Sequence, residues 1–395
     1  MGGNNTDTAA PRSRALVVTS LGVAQTLAWA STYYVPAILA EPISAAVGIS
    51  RAGFFAVFSV ALLITAFLGP TVGRIIDRYG GRDVLALSSL VIAAGLALLG
   101  FAHGPTLLII AWMILGVGMA LGLYDAAFAT LTALYGGEAR SAITGITLFA
   151  GFASTVGWPV TALLNEAWGW REACLFWAAL NLVLGLPLNR LVLLALVVPA
   201  RSTDAAPAPR IGWTPRREML LLAFVFASGW FVTGAMATHL PRLLEESGAS
   251  PLEAIAAAAL VGPGQVAARL CEFALLRHVH PLVSARLASL LHPVGAGALL
   301  LLGPVAAIPF ALLYGAGNGL LTIARGTVPL AIFGPQGFGE RSGLLGAPAR
   351  LAQAFAPFVF AYMLDFMGMQ VVLVSAALWL AALAALLCLR TRTAE

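Results

Sequence analysis

The 395-residue sequence contains no lysine: all 22 of its basic residues are arginine. Charged residues of either sign make up only 10% of the chain, where soluble domains carry about 25%. Cysteine is scarce too. Cys174, Cys271 and Cys388 lie in apolar segments without metal-ligand spacing and read as small buried residues. There is no nucleotide motif, nucleophile elbow or metal cluster, so an enzyme is not expected. The missing phosphate-binding loop argues against a primary pump. No cofactor and no metal are expected. His278 and His280 share one loop and read as solvated side chains. The net charge of +5 is carried by arginines in loops, which is not a nucleic-acid footprint.

What the chain has in excess is apolar surface. Hydrophobic residues make up 60% of it, more than a soluble core needs. At about 20 residues per span, the apolar segments give an all-α membrane protein of twelve transmembrane helices. The expected spans are 15–40, 51–74, 84–102, 106–134, 141–164 and 172–196, then 217–240, 252–276, 283–302, 305–333, 342–364 and 370–389. Loops on the side of the termini hold most of the arginines, among them Arg12, Arg14, Arg74, Arg78, Arg82, Arg140, Arg201, Arg277 and Arg341. The opposite side holds Arg51, Arg171 and Arg242. The positive-inside rule then places both termini in the cytoplasm. The first apolar run continues past Ala28-Trp29-Ala30 to Ala40, which reads as an uncleaved first span. The bacterial inner membrane and a monomer are expected.

The two halves repeat at an offset near 200 residues. Gly48-Ile49-Ser50 before the second span matches Gly248-Ala249-Ser250 before the eighth. Arg140-Ser141 matches Arg341-Ser342, and the glycine-rich stretch 116–122 matches 315–319. Pro159, Glu166 and Gly169 match Pro357, Asp365 and Gly368. Several matches in order predict two pseudo-symmetric six-helix bundles, residues 1–198 and 218–395. A polar segment, 199–217, reads as a cytoplasmic linker between them. Ser250-Pro251-Leu252-Glu253 predicts a capping box with proline at the first helical position.

One charged turn stands out: Gly73-Arg74-Ile75-Ile76-Asp77-Arg78-Tyr79-Gly80-Gly81-Arg82-Asp83. It resembles the loop between helices two and three of the major facilitator superfamily, at Gly73, Asp77, Arg78, Gly80 and Arg82. The resemblance covers the whole chain. It implies a secondary transporter with two bundles that rock about a midplane site. It also implies a gating role for Asp77, Arg78 and Arg82.

Ionisable groups inside spans are costly and therefore functional candidates. Arg190 lies near a span end and can snorkel. Arg269, Arg325 and Arg350 lie deeper. Glu272, three residues after Arg269, is a geometrically available partner for it. Asp125 falls at nearly the depth of Arg325 in the internal repeat. The spacing Gln265-x-x-x-Arg269 resembles the substrate-contacting arginine of monocarboxylate transporters, with Gln265 at the acidic position of the animal carriers. Oxalate/formate antiporters carry a comparable pair, which Arg269 and Arg350 resemble. Trp29, Tyr33 and Trp230 are expected to line the path with Arg269, Gln265 and Arg350; Gln25, Thr32, Ser228, Thr233 and His239 are further lining candidates. Asp125, Glu272 and Arg325 join the gating turn as candidates for proton coupling. The expectation is proton-coupled transport of a small organic, monocarboxylate-like anion by alternating access, with the lipid bilayer and protons as the other partners. The alternative is proton-coupled efflux of drugs or other toxic compounds.

Overall fold

A computed structural model describes residues 14–194, 217–276 and 278–389. The expected linker 199–217 lies outside these residues except for Arg217, as does Arg277. Every regular element among the described residues is helical.

Each expected span coincides with one or two helices. The first is α1 (Arg14–Ser31) and α2 (Val35–Val47), followed by α3 (Arg51–Tyr79) and α4 (Arg82–Gly100). The fourth is α5 (Pro105–Gly122) with α6 (Tyr124–Tyr135). The fifth is α7 (Ala139–Ala150) with α8 (Ala153–Ala167), and the sixth is α9 (Trp170–Leu180) with α10 (Leu186–Leu194). In the second half come α11 (Arg217–Glu246), then α12 (Pro251–Ala259) with α13 (Val261–Cys271). The remaining four are α14 (Pro281–Leu302), α15 (Ala307–Phe333), α16 (Phe338–Met367) and α17 (Val371–Leu387). Among the described residues, nine continuous helical stretches are long and apolar enough to cross a bilayer. Three of them, Pro105–Ala167, Pro281–Phe333 and Phe338–Leu387, run 50 to 63 residues. A span needs about 20, so the described residues have room for all twelve.

The breaks within spans have local causes. Pro36 has no N–H to continue the α1 ladder but fits the first turn of a new helix, and α2 restarts at Val35 after the break at 32–34. Leu123 is extended between α5 and α6. The segments Asn181–Gly185 and Glu272–Leu276 are π-helical turns. The outer surface is apolar: Phe67, Leu301, Val305 and Phe366 are exposed. Backbone polar groups are consumed within helices, as a lipid environment requires. The protein is an integral membrane protein.

Helices α1–α10 pack mainly on one another, and so do α11–α17. The halves meet along a seam where α3 contacts α16, α6 contacts α15 and α16, and α7 contacts α13 and α15. The internal repeat is visible in backbone detail. Gly48 and Gly248 both take positive φ, at 76° and 97°, where each chain reverses between spans. Ser50 and Ser250 then cap the next helices, and Ser250 forms the expected capping box with Glu253. The face where α1 and α11 begin is called the Arg14 face below. The opposite one, with Gly48 and Gly248, is the Gly48 face.

Glycine sets the closest approach across the seam. Gly69 and Gly73 of α3 face Gly343 and Gly339 of α16, and a Cβ at Gly73, Gly339 or Gly343 would run into the facing backbone. Small residues let helices meet backbone to backbone in lipid, where apolar side chains gain little by associating.

Candidate substrate site and the seam that closes it

This close approach brings Asp77 within reach of the start of α16. Asp77 Oδ1 accepts from the Gly339 N–H at 2.8 Å, and Oδ2 accepts from the Glu340 N–H at 2.9 Å. First-turn amides have no partner within their own helix, and the helix dipole favours an anion there. Asp77 is therefore an N-terminal cap supplied by the other half of the protein. Arg74 adds an ion pair to Glu340 at 3.6 Å. Arg78 lies over the ring of its neighbour Tyr79, and Arg82 pairs with Asp83 at 3.1 Å. The arginine of this turn that crosses the seam is thus Arg74, rather than the expected Arg78 and Arg82.

A second clasp joins α7 to the end of the eighth span. Arg140 pairs with Glu272 at 3.1 Å and donates to the carbonyls of Leu276, at 2.9 Å, and Val279. The Ser284 hydroxyl donates to the other Glu272 oxygen at 2.6 Å. This corrects the expected Arg269–Glu272 pair. Glu272 keeps helical dihedrals and an N–H bond to the Ala268 carbonyl, so it stays in α-helical register with Arg269. Its two oxygens are taken by Arg140 and Ser284 from neighbouring elements. Arg140, near the start of the fifth span, had carried no functional expectation; its partner lies 132 positions away, beyond any local pattern.

Farther inside the seam, three arginines are almost fully buried: Arg269, Arg325 and Arg350. Arg325 pairs with Asp125 at 2.6 Å, and Arg350 approaches the same carboxylate oxygen at 3.8 Å. One carboxylate thus serves two guanidinium groups. Among the described residues no carboxylate lies within 4.0 Å of Arg269. It donates instead to Gln265 Oε1, Thr322 Oγ1 and the Thr147 carbonyl, each at 3.4 Å. Several nitrogens of this group make no hydrogen bond: all three of Arg350, Nη1 of Arg325 and Nε of Arg269. Arg350 is 1% exposed, so burial leaves its donors without water and creates demand for an acceptor.

Aromatic faces offset part of this cost. Both Arg325 and Arg350 lie over the Trp230 ring at 5.2 Å, and Arg350 also lies 6.0 Å from the Trp29 ring centre. Such contacts strengthen when desolvated. Trp29 in turn packs on Tyr33 and Tyr124. The Tyr33 hydroxyl receives a hydrogen bond from Gln353 of α16, across the seam.

These side chains surround a small cavity of about 50 Å³. Its walls come from both halves and include the expected Trp29, Tyr33, Trp230, Gln265 and Arg269. Arg325, Arg350 and Asp125 lie behind the tryptophans rather than in the wall. Of the further candidates, Thr233 lines the cavity and bonds Asn318 at 3.0 Å. Gln25 is spent on the Gly122 carbonyl at 2.6 Å, Thr32 on its own helix, and His239 on the Pro357 carbonyl at 2.9 Å. Tyr34, Tyr124, Asn318 and Thr322 also line the cavity and had not been singled out. Asn318 and Thr322 lie four apart on α15, one face of a helix, and that spacing was a signal available in the sequence.

A family profile described as Major Facilitator Superfamily matches residues 21–324. An uncharacterized 38 kDa protein in the 23S RNA operon of Thermoproteus tenax is 28% identical over 248 residues; the match covers 62% of this chain and 57% of that protein. The structure is similar to that of the human organic anion transporter MFSD10 (TETRAN), with TM-score 0.65 and 18% identity over 95% of this chain and 100% of that one. It is also similar to the proton:xylose symporter XylE bound to 6-bromo-6-deoxy-D-glucose, with TM-score 0.68, 16% identity and 95% of each chain covered.

Proposed function

The chain belongs to the major facilitator superfamily, a family of membrane transporters, and from that premise we propose that its cargo is a small organic anion. The observation that carries this reading is the charge balance beside the cavity, apart from the Asp77 and Arg140 clasps: among the described residues, three buried arginines, Arg269, Arg325 and Arg350, and one carboxylate, Asp125, which serves two of them. A carboxylate cargo supplies the missing acceptors. Arg269 faces the cavity and offers a planar fork to it. Gln265, Thr233 and the tyrosine hydroxyls orient the rest of the molecule, while Trp29 and Trp230 exclude water. The structurally similar human MFSD10 is an organic anion transporter, which is compatible with this reading.

Proton coupling follows from the shared carboxylate. An anion that moves on to Arg350 and Arg325 competes with Asp125 for them. A carboxylate left buried without its cation is neutralised by taking up a proton. The bundles then rock about the site, with the Asp77 and Arg140 clasps closing the Arg14 face in the conformation described here. In this proposal the Arg14 face is cytoplasmic by its arginine content, the membrane is a bacterial inner membrane, and a monomer suffices. The bundles comprise residues 1–198 and 218–395, joined by a linker at 199–217.

The rival reading, proton-coupled efflux of drugs or other toxic compounds, rests on the aromatic wall around Trp29 and Tyr124. It requires a free carboxylate for a cation, and Asp125 is already held by two arginines. Proteoliposomes loaded at one pH and diluted into another test the proposal. Radiolabelled lactate or oxalate is expected to accumulate with the gradient, and Asp125→Asn is expected to abolish the gradient dependence while retaining anion binding. Gradient-driven accumulation that persists in Asp125→Asn removes Asp125 as the proton carrier.

A further inference from the structure

The fifth span is interrupted where it passes Arg269. Helix α7 ends at Ala150 and α8 begins at Ala153. At the break, the Gly151 N–H bonds the Thr147 carbonyl at 2.9 Å, and the Phe152 N–H reverts to a shorter-range bond with Phe149 at 3.0 Å. The Thr147 carbonyl accepts a second donor, Nη1 of Arg269, which comes from the other half of the protein. A Cβ built on Gly151 would collide with that Nη1 and would meet the Thr147 and Leu148 carbonyls at 3.3 and 3.1 Å. The guanidinium occupies the space that any side chain at position 151 would fill.

We infer that Gly151 is a positioning residue: it seats Arg269 on the Thr147 carbonyl, so that the same guanidinium either ties the fifth span to the eighth or holds the cargo. The inference rests on the reading of Arg269 as the anion-binding group. The bond to the neutral Thr147 carbonyl is single and long, at 3.4 Å, whereas a carboxylate offers the guanidinium two parallel bonds between opposite charges. A carboxylate in the cavity therefore draws Nη1 off Thr147 and removes one tie between the halves. Binding and release of the seam become one event, through a residue that never touches the cargo.

Gly151→Ala tests this with little risk to the fold. Gly151 has ordinary helical dihedrals, φ −59° and ψ −25°, which alanine adopts freely, and the colliding atom is the mobile end of a long side chain. The reporter is Ile143→Cys on α7, in a background with Cys174, Cys271 and Cys388 replaced. Ile143 is buried and faces Gly326 of α15 across the seam, so maleimide reaches it when the halves part.

Without anion, Gly151→Ala is expected to label at least 5-fold faster than Gly151. Lactate or oxalate is expected to accelerate labelling of the Gly151 protein and to add nothing in Gly151→Ala. Equal basal labelling of the two proteins, with melting temperatures matched, overturns the seat. Faster basal labelling with a full anion response retained in Gly151→Ala overturns the exchange of partners. Absence of any anion response in the Gly151 protein, beside faster basal labelling in Gly151→Ala, leaves the seat standing and overturns the exchange together with the anion-binding role of Arg269.

Discussion

Asp77→Asn removes a single charge from a contact whose geometry is fully specified. The carboxylate receives two backbone amides, at 2.8 and 2.9 Å, from the first turn of α16. A hydrogen bond to a charged group contributes about 1.5–3 kcal/mol, and the helix dipole adds about 0.3–1 kcal/mol for an anion at this end. Asparagine retains one acceptor and directs its NH₂ at the other amide. One bond and the charge–dipole attraction are lost together, about 2–4 kcal/mol. Asp77 lies on one half and its donors on the other, so this loss falls on the closed form of the Arg14 face. At about 1.4 kcal/mol per factor of ten, the ratio of open to closed protein rises about 30- to 700-fold. The glycine contacts beside it are untouched, and melting temperature should change much less than this ratio. The assay is the maleimide labelling rate of Ile143→Cys, which lies behind the same seam. An Asp77→Asn protein that labels at the unmutated rate refutes the clasp, and so does one whose excess labelling disappears only when the fold is stabilised.

Two other substitutions separate binding from packing. Arg269→Lys keeps the charge but loses the planar fork, so carboxylate affinity is expected to fall at least 10-fold, read as the loss of anion-induced thermal shift; an unchanged shift excludes Arg269 as the anchor. Glu272→Gln leaves Arg140 without its carboxylate partner and is expected to destabilise the closed protein by about 3–5 kcal/mol. The double variant Arg140→Gln with Glu272→Gln should recover most of that in melting temperature, and no recovery contradicts the pairing.

Much of the fold was legible in the sequence because its signals are local. Apolar length marks the spans, and glycine and serine at Gly48-Ile49-Ser50 and Gly248-Ala249-Ser250 mark corresponding turns of the two halves. The candidate arginines were legible for a thermodynamic reason: a charge within an apolar run needs a purpose. Their partners were not. The Arg269–Glu272 expectation rested on helical spacing alone, which holds in the structure, but Arg140 of the other half and Ser284 take the Glu272 carboxylate, and no local pattern shows partners that distant. Asp77 stood out as a candidate gating group, but its acceptor role was not legible, because the donors are backbone amides of α16 and any sequence supplies those. Gly151 carried no signal either; its importance depends on which side chain of the opposite half comes to rest against it.

The central claim is that the arginine-rich seam binds an anion, and its most direct test is a thermal-shift comparison of the purified protein across ligand classes. Lactate and oxalate are expected to raise the melting temperature in a saturable way, by an amount that grows with the logarithm of concentration above the dissociation constant. Xylose and a lipophilic cation such as tetraphenylphosphonium are expected to leave it unchanged, and Arg269→Ala is expected to lose the anion response. Saturable stabilisation by the cation, with none by any carboxylate, would contradict the account.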